Sequence, residues 1–201
     1  MMKHRFALAP ALLTLVVPAF AAEKTFTIVG ERLEYRNLAT VESETEYEAF
    51  TGKTTKVSGT VKFDPAKRSG AATLLIDVAS VNTGIPARDE HMRGAQWMDA
   101  GQYPNIKLET KSVKHAGGDN YNVTGLLTMR GVTREVKFKA TVRYRAASEL
   151  NKANGFDGDV LQVKGKFDVK LSDYGVKIPA PAANKVANVV TLGISAYAVA
   201  K

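Results

Sequence analysis

From Val132 to Arg145 apolar and polar residues alternate almost without exception. Val136, Phe138, Ala140, Val142 and Tyr144 fall on one phase, and Lys137, Lys139, Thr141, Arg143 and Arg145 on the other. Successive side chains of a strand point to opposite faces, so this pattern predicts a strand with one face buried and one in water. It returns with Leu161, Val163, Phe167, Val169 and Leu171 set against Lys164, Lys166, Asp168 and Lys170, and again with Tyr121, Val123, Leu127 and Met129 set against Asn122, Thr124 and Thr128. Weaker alternation marks Val57 to Phe63, Ala72 to Val78 and Ile106 to Ser112, while the last strand, from about Asn188 to Val199, is apolar on both phases. Gly117-Gly-Asp-Asn120 and Arg130-Gly131 supply tight connections between neighbours. Long strands joined by short turns predict an all-β, antiparallel protein in which consecutive strands pair as an up-and-down meander.

Three segments leave the two-residue period. Val81 to Thr110 breaks it, with Pro86 placed to begin a short helix. Ala146 to Asp159, rich in Asn, Gly and Asp, reads as a long loop, and Pro179-Ala-Pro-Ala-Ala183 as a stiff connection into the final strand. Sandwich and barrel write the same alternation. Gly59, Gly125 and Gly165 fall on the inward phase of three strands, where glycine permits the coiling of a closed sheet or leaves interior space for a ligand.

The N-terminus carries Lys3, His4 and Arg5, then an apolar run from Phe6 to Val17, then Ala19-Phe-Ala21. That order predicts a secretory signal peptide over 1–21, export to the periplasm or beyond, and a single domain over 22–201. The apolar run is interrupted by Pro10 and is shorter than the ~20 residues a membrane-spanning helix needs. The chain has no cysteine, so disulfides, a lipoprotein anchor and thiolate metal sites are excluded. It carries 28 Lys and Arg against 20 Asp and Glu; Lys3 and Arg5 leave with the signal, and the remainder stays basic. Such a balance favours acidic partners without specifying one. The oligomeric state is left open, a homodimer included.

Catalytic signatures are missing. Beyond the leader only His91 and His115 are present, not at metal-ligand spacing, and there is no G-x-S-x-G elbow, Walker A loop or dinucleotide fingerprint. Asp157-Gly-Asp159 starts like a calcium loop but lacks the glycine and the terminal glutamate that follow in one. The expectation is therefore no enzyme, no cofactor and no metal. Lys and Arg alternate outward without exposed aromatic partners, which argues against nucleic acid.

Between Val81 and Thr110 stand an Arg88-Asp-x-His-Met-Arg93 run, an aromatic pair around Asp99, and Tyr103-Pro-x-Ile-x-Leu108. With Gly59-Thr-Val-Lys-Phe-Asp64 and Thr124-Gly-Leu-Leu-Thr-Met-Arg-Gly-Val-Thr133, these blocks resemble the YceI-like family of polyisoprenoid-binding periplasmic proteins. Where members of that family carry an N-terminal Trp and a His-Ser pair, this chain has Thr25-Phe-Thr-Ile-Val29 and Glu42-Ser-Glu44. The resemblance implies a lipocalin-like antiparallel β-barrel of about eight strands, enclosing a polyisoprenoid or similar amphiphilic lipid, with Pro86 to Met98 closing one end. The apolar candidates for its lumen are Phe63, Ile76, Trp97, Met98, Leu108, Leu127, Met129, Phe138, Val142, Phe167 and Leu171.

At the rim, Arg88, His91 and Arg93 offer charge-assisted donors for a phosphate or pyrophosphate head group. Alternatively, Arg88 pairs with Asp89 or Glu90 to fasten the helix to the barrel. The expected function is an exported isoprenoid carrier or store in transient contact with membranes. The competing reading is a filled sandwich, a non-enzymatic interaction protein whose basic surface docks on anionic membrane or polymer.

Overall fold

The alternating segments pair with their chain neighbours, every pair antiparallel. The computed structural model describes residues 23–200, so the leader read at 1–21 lies outside the described residues. In chain order the elements are β1 (Lys24–Ile28), β2 (Leu38–Glu44), β3 (Ala49–Thr54), β4 (Val57–Asp64), β5 (Ser69–Asp77), α1 (Pro86–Arg93), β6 (Asn105–His115), β7 (Asn120–Met129), β8 (Val132–Arg145), α2 (Glu149–Ala153), β9 (Asp159–Lys170) and β10 (Val189–Ala200).

β1 pairs with β10, Thr27 opposite Val199, and closes the sheet into a barrel. β2 continues along the same β10 edge, with Leu38 opposite Ser195 and Glu42 opposite Thr191. β1 and β2 are thus two halves of one stave, and β3 and β4, separated by Thr55 and Lys56, are two halves of the next. The ring has eight staves. The interruption in the first stave is a 3-10 turn over Glu31–Arg36, and the Asn37 side chain spans it. Its amide nitrogen donates to the Val29 carbonyl at 2.6 Å and its oxygen accepts from the Tyr197 amide at 3.1 Å. Asn37 is 1% exposed; unpaired at that depth, its amide would cost a few kcal/mol, so the two bonds are what allow the stave to break there.

One seam is incomplete. β8 and β9 are laddered only from Ala140–Gly165 to Arg145–Val160. Past that point side chains take over: Phe138 stacks on Phe167 with ring centres 4.6 Å apart, and Arg134 and Arg130 donate to the carbonyls of Asp173 and Gly175. The Phe138 ring occupies the place a side chain at 165 would take, since a Cβ on Gly165 would lie 2.9 Å from it. Gly59 serves closure differently. It has φ +126° and stands so near Thr73 that a Cβ would meet the carbonyl oxygen at 2.0 Å, so coiling, not ligand space, explains it.

Ala146 to Asp159 is not wholly loop. Ser148 accepts from the Asn151 amide at 3.2 Å and caps the short helix α2. Pro179 to Ala183 contains a 3-10 turn over Ala180–Ala182, and the closing segment is helical only as far as Arg93.

At the end where β1 meets β4, aromatic side chains fill the barrel. Phe26, Phe63 and Tyr121 are buried and Tyr144 is half-buried against them, and Phe26 and Phe63 meet Tyr144 and Tyr121 edge-on at 6.3 and 6.2 Å between ring centres. Asp159 anchors this end: it accepts from Lys24 Nζ at 2.5 Å, Tyr144 Oη at 2.9 Å and the Ala147 amide at 2.8 Å. Burial opposes its charged form, yet the Lys24 ammonium and the other two donors outweigh that and hold its carboxyl below the usual aspartate range. The anchor is therefore complete above the ordinary aspartate value, about pH 4, and weakens as pH falls through the lowered one. Asp159→Asn should unfold at lower urea than the parent protein at pH 7, by about 1–3 kcal/mol, with the gap narrowing towards pH 2. A gap of constant size across that range would contradict this account of the anchor.

Candidate functional site

Towards the other end the inward residues become smaller. Ala39, Val41 and Ser43 of β2 and Gly52 and Thr54 of β3 face inward, with Phe50 towards the hairpin tip, and a cavity of about 450 Å³ opens among them. Its walls are completed by Ile76 of β5 and Val78 just after it, Ile106 of β6, Met129 of β7, and Val190 and Leu192 of β10. Trp97, Met98 and Met92 cover it from the segment around α1, and Leu171, Val176, Ala182 and Val186 from the connection into β10. The size and the apolar wall are those of a small-molecule pocket.

Two ties hold the cover. The Asp89 carboxylate, 3% exposed, accepts from the Thr83 amide at 2.8 Å and the Thr83 hydroxyl at 2.7 Å, fixing α1 to the chain just after β5. That segment is itself pinned to β3 by the paired backbones of Lys53 and Asn82. Arg88 forms an ion pair with Glu48 at the tip of the β2–β3 hairpin, its guanidinium 4.1 Å from the centre of the Phe50 ring. The same hairpin holds the far side of the mouth, where Thr45 donates to the Asn184 carbonyl at 2.7 Å and Ser43 accepts from the Ala187 amide at 2.9 Å.

Of the residues singled out for the lumen, Ile76, Trp97, Met98, Met129 and Leu171 line the cavity. Phe63, Leu108, Leu127, Phe138, Val142 and Phe167 belong to the packed remainder of the barrel. At the rim, Arg88 and His91 face the cavity. The ion pair expected between Arg88 and Asp89 or Glu90 is replaced by the one with Glu48, while Asp89 serves Thr83. Arg93 turns away and donates to the Val81 carbonyl at 3.3 Å.

Lys185 is the cation that sequence reasoning missed. It lines the mouth and makes no ion pair among the described residues. With Arg88 offset by Glu48, Lys185 leaves the mouth positive, and His91 adds a donor. Gly59, Gly125 and Gly165 stand outside the cavity wall. Among the described residues no three His, Asp or Glu side chains gather as a metal centre, and no helix is long and apolar enough to cross a membrane. An oily hollow under a polar, positive mouth is suited to holding an amphiphile with its chain inside and its head at the rim.

Comparison with known proteins gives this geometry a family. BcnA of Burkholderia cenocepacia superposes with a TM-score of 0.69 at 29% identity, over 83% of this chain and 98% of that one. A polyisoprenoid binding domain from Saccharophagus degradans, implicated in plant cell wall breakdown, has the same fold at 18% identity, with a TM-score of 0.66 over 90% of this chain and all (100%) of that one. In sequence, a UPF0312 protein of Pseudomonas savastanoi pv. phaseolicola is 31% identical over 124 residues, 61% of this chain and 62% of that protein. A second, from Pseudomonas paraeruginosa, is 31% identical over 143 residues, 70% and 71% of the two chains. The first of these matches spans about three fifths of its relative's length. The YceI-like domain profile matches residues 33–198, from the break in the first stave through the cavity walls to the last strand, and this chain belongs to the YceI-like family.

Proposed function

We propose that this protein is an exported, non-catalytic carrier or store for a polyisoprenoid or closely similar amphiphile. The cavity of about 450 Å³ carries the reading: its wall is mainly aliphatic, Met, Phe and Trp side chains, its charged lining residues are Glu48, Arg88 and Lys185, and the inward Thr54 hydroxyl is tied to Ser80. The fold shared with the polyisoprenoid binding domain of Saccharophagus degradans supports the class of ligand. The apolar run and small-x-small site before residue 22 support export to the periplasm. In this reading Lys185, His91 and Arg88 meet a phosphate or pyrophosphate head, while Trp97, Met98, Ile76, Met129 and Leu171 hold the chain.

The energetics favour a carrier over a trap. Removing a five-carbon unit from water gains roughly 4 kcal/mol at ~0.8 kcal/mol per methylene. A polyprenyl lipid, however, leaves a bilayer about as apolar as the cavity, so exchange is close to neutral and the head group and shape decide it. Transient docking would bring the two together. The outward phase of β8 and β9 offers Lys137, Lys139, Lys164 and Lys166; Lys166 pairs with Glu42 and Lys137 with Glu135, and Lys139 and Lys164 leave the strip positive and suited to an anionic leaflet.

Purified without detergent, the mature protein should carry an isoprenoid lipid by native mass spectrometry. Trp97, the sole tryptophan, should change its emission when a polyprenol is added to emptied protein. Met98→Asp, which sets a charge on the wall, should weaken that response at least ~10-fold with the fold retained. Protein that is empty as isolated and silent to polyprenols would contradict the proposal. Association with anionic vesicles should fall steeply between about 50 and 300 mM salt and vanish when Lys137, Lys139, Lys164 and Lys166 are changed to Gln, as read by sedimentation. Salt-independent association would refute electrostatic docking.

A further inference from the structure

We infer that the outer wall of the barrel carries a second binding site, a notch across β8, β9, β10 and β2 that seats the phosphate of an anionic phospholipid head group. This rests on the leaflet docking proposed above and gives it one defined seat. Side chains on one face of a sheet line up in rows across paired strands. Thr141 of β8, Lys164 of β9, Ser195 of β10 and Leu38 of β2 make one such outward row, each opposite the next. The neighbouring row runs Lys166, Gly193 and Thr40, again each opposite the next, and Lys139 extends it on β8, just past the last β8–β9 pair. Gly193 and Ser195 stand at the centre of this grid. The outer wall is therefore sunken there, with lysines on one side of the hollow and hydroxyls around it.

The charge of the notch is unbalanced. No carboxylate lines it. Lys166 reaches out of it to Glu42 at 2.7 Å, whereas Lys139 and Lys164 have no ion-pair partner among the described residues. Like charges on adjoining strands oppose one another, and an anion held between them removes that cost and adds charge-assisted hydrogen bonds. Thr40, Thr141 and Ser195 bring hydroxyl donors to the same space for the remaining phosphate oxygens. A lipid phosphodiester suits the notch better than a free anion, because Leu38, 41% exposed, prolongs it with apolar surface on which the glycerol and first chain carbons can lie. Gly193 keeps the space open. A Cβ there would stand 2.5 Å from Thr40 Oγ1, a side-chain atom free to turn aside, so a larger residue fills the notch without breaking the strand.

Dihexanoyl phosphatidylglycerol, a short-chain lipid used below its micelle-forming concentration, should shift the amide NMR signals of Thr40, Lys164, Lys166, Gly193 and Ser195 to saturation, at a concentration at least ~10-fold lower than inorganic phosphate requires. This arm uses the parent protein and depends on no variant. Gly193→Val fills the notch and leaves every charge in place. It should weaken sedimentation with vesicles of phosphatidylglycerol in phosphatidylcholine at least ~5-fold, and Ser195→Leu, which fills the notch from the next row, should do the same. Lys114→Gln, which removes an exposed charge from β6, should change sedimentation less than ~2-fold. Folded variants that sediment like the parent would overturn the seat and leave diffuse electrostatic docking standing, as would lipid-induced shifts at Trp97 and Met98 with none at Gly193. Inorganic phosphate that binds as tightly as the lipid would overturn the lipid as the source of the phosphate. A parent protein indifferent to phosphatidylglycerol in both forms would overturn seat and docking together, while isoprenoid carriage is read separately by mass spectrometry.

Discussion

Closing the sheet on itself is the constraint from which the other features follow. A ring of eight antiparallel staves leaves little edge to protect, only the outer side of β3 beyond its bridge to Asn82 and the part of the β8–β9 seam that side chains close, and its circumference fixes how many side chains point inward at each level. What varies from level to level is their size. Where β1 meets β4 the ring directs Phe26, Phe63, Tyr121 and Tyr144 inward and is solid. Where β2 meets β3 it directs Ala39, Val41, Ser43 and Thr54 inward and is hollow. The two breaks in the first staves make this difference possible, because each half can take its own register, and Asn37 secures the larger break with two buried hydrogen bonds.

A hollow of this size is a thermodynamic burden. Its apolar wall forgoes the contacts that a filled core would make. Closure, the aromatic layer and the Asp159 anchor must carry that load in the empty state, and any guest that fills the space stabilises the fold by mass action. The cover fits this view. Arg88, Asp89, Thr45 and Ser43 bind it by polar contacts to the β2–β3 hairpin and to Thr83, interactions that can part without exposing the packed half of the barrel.

Much of the architecture can be read from residue order, because β7, β8 and β9 alternate cleanly and the turns at Gly117 and Arg130 join neighbours. Barrel closure came from the family resemblance, and the ring formed by β1 with β10 agrees with it. The site was only half legible, for two physical reasons. Alternation tells inside from outside but not the level along the axis, so Phe63, Leu108 and Phe167 looked as suited to the lumen as Ile76 and Met129. The walls from β2 and β3 face inward with Ala39, Val41 and Ser43 and with Phe50, Gly52 and Thr54, a mixture in which Ser, Gly and Thr blur the contrast with a polar outer face. The partner of Arg88 lies 40 positions away in the sequence, and nothing local announces Glu48. Lys185, in a connection read only as stiff, gave no signal at all.

The division of the barrel into a filled half and an empty one is the claim most open to direct measurement. Xenon, which enters dry apolar cavities, should bind under pressure in crystals of the ligand-free protein between Trp97, Met129 and Leu192, and nowhere among Phe26, Phe63, Tyr121 and Tyr144. Xenon sites among those aromatic rings, or a space around Met129 already filled by the protein's own side chains, would contradict the account.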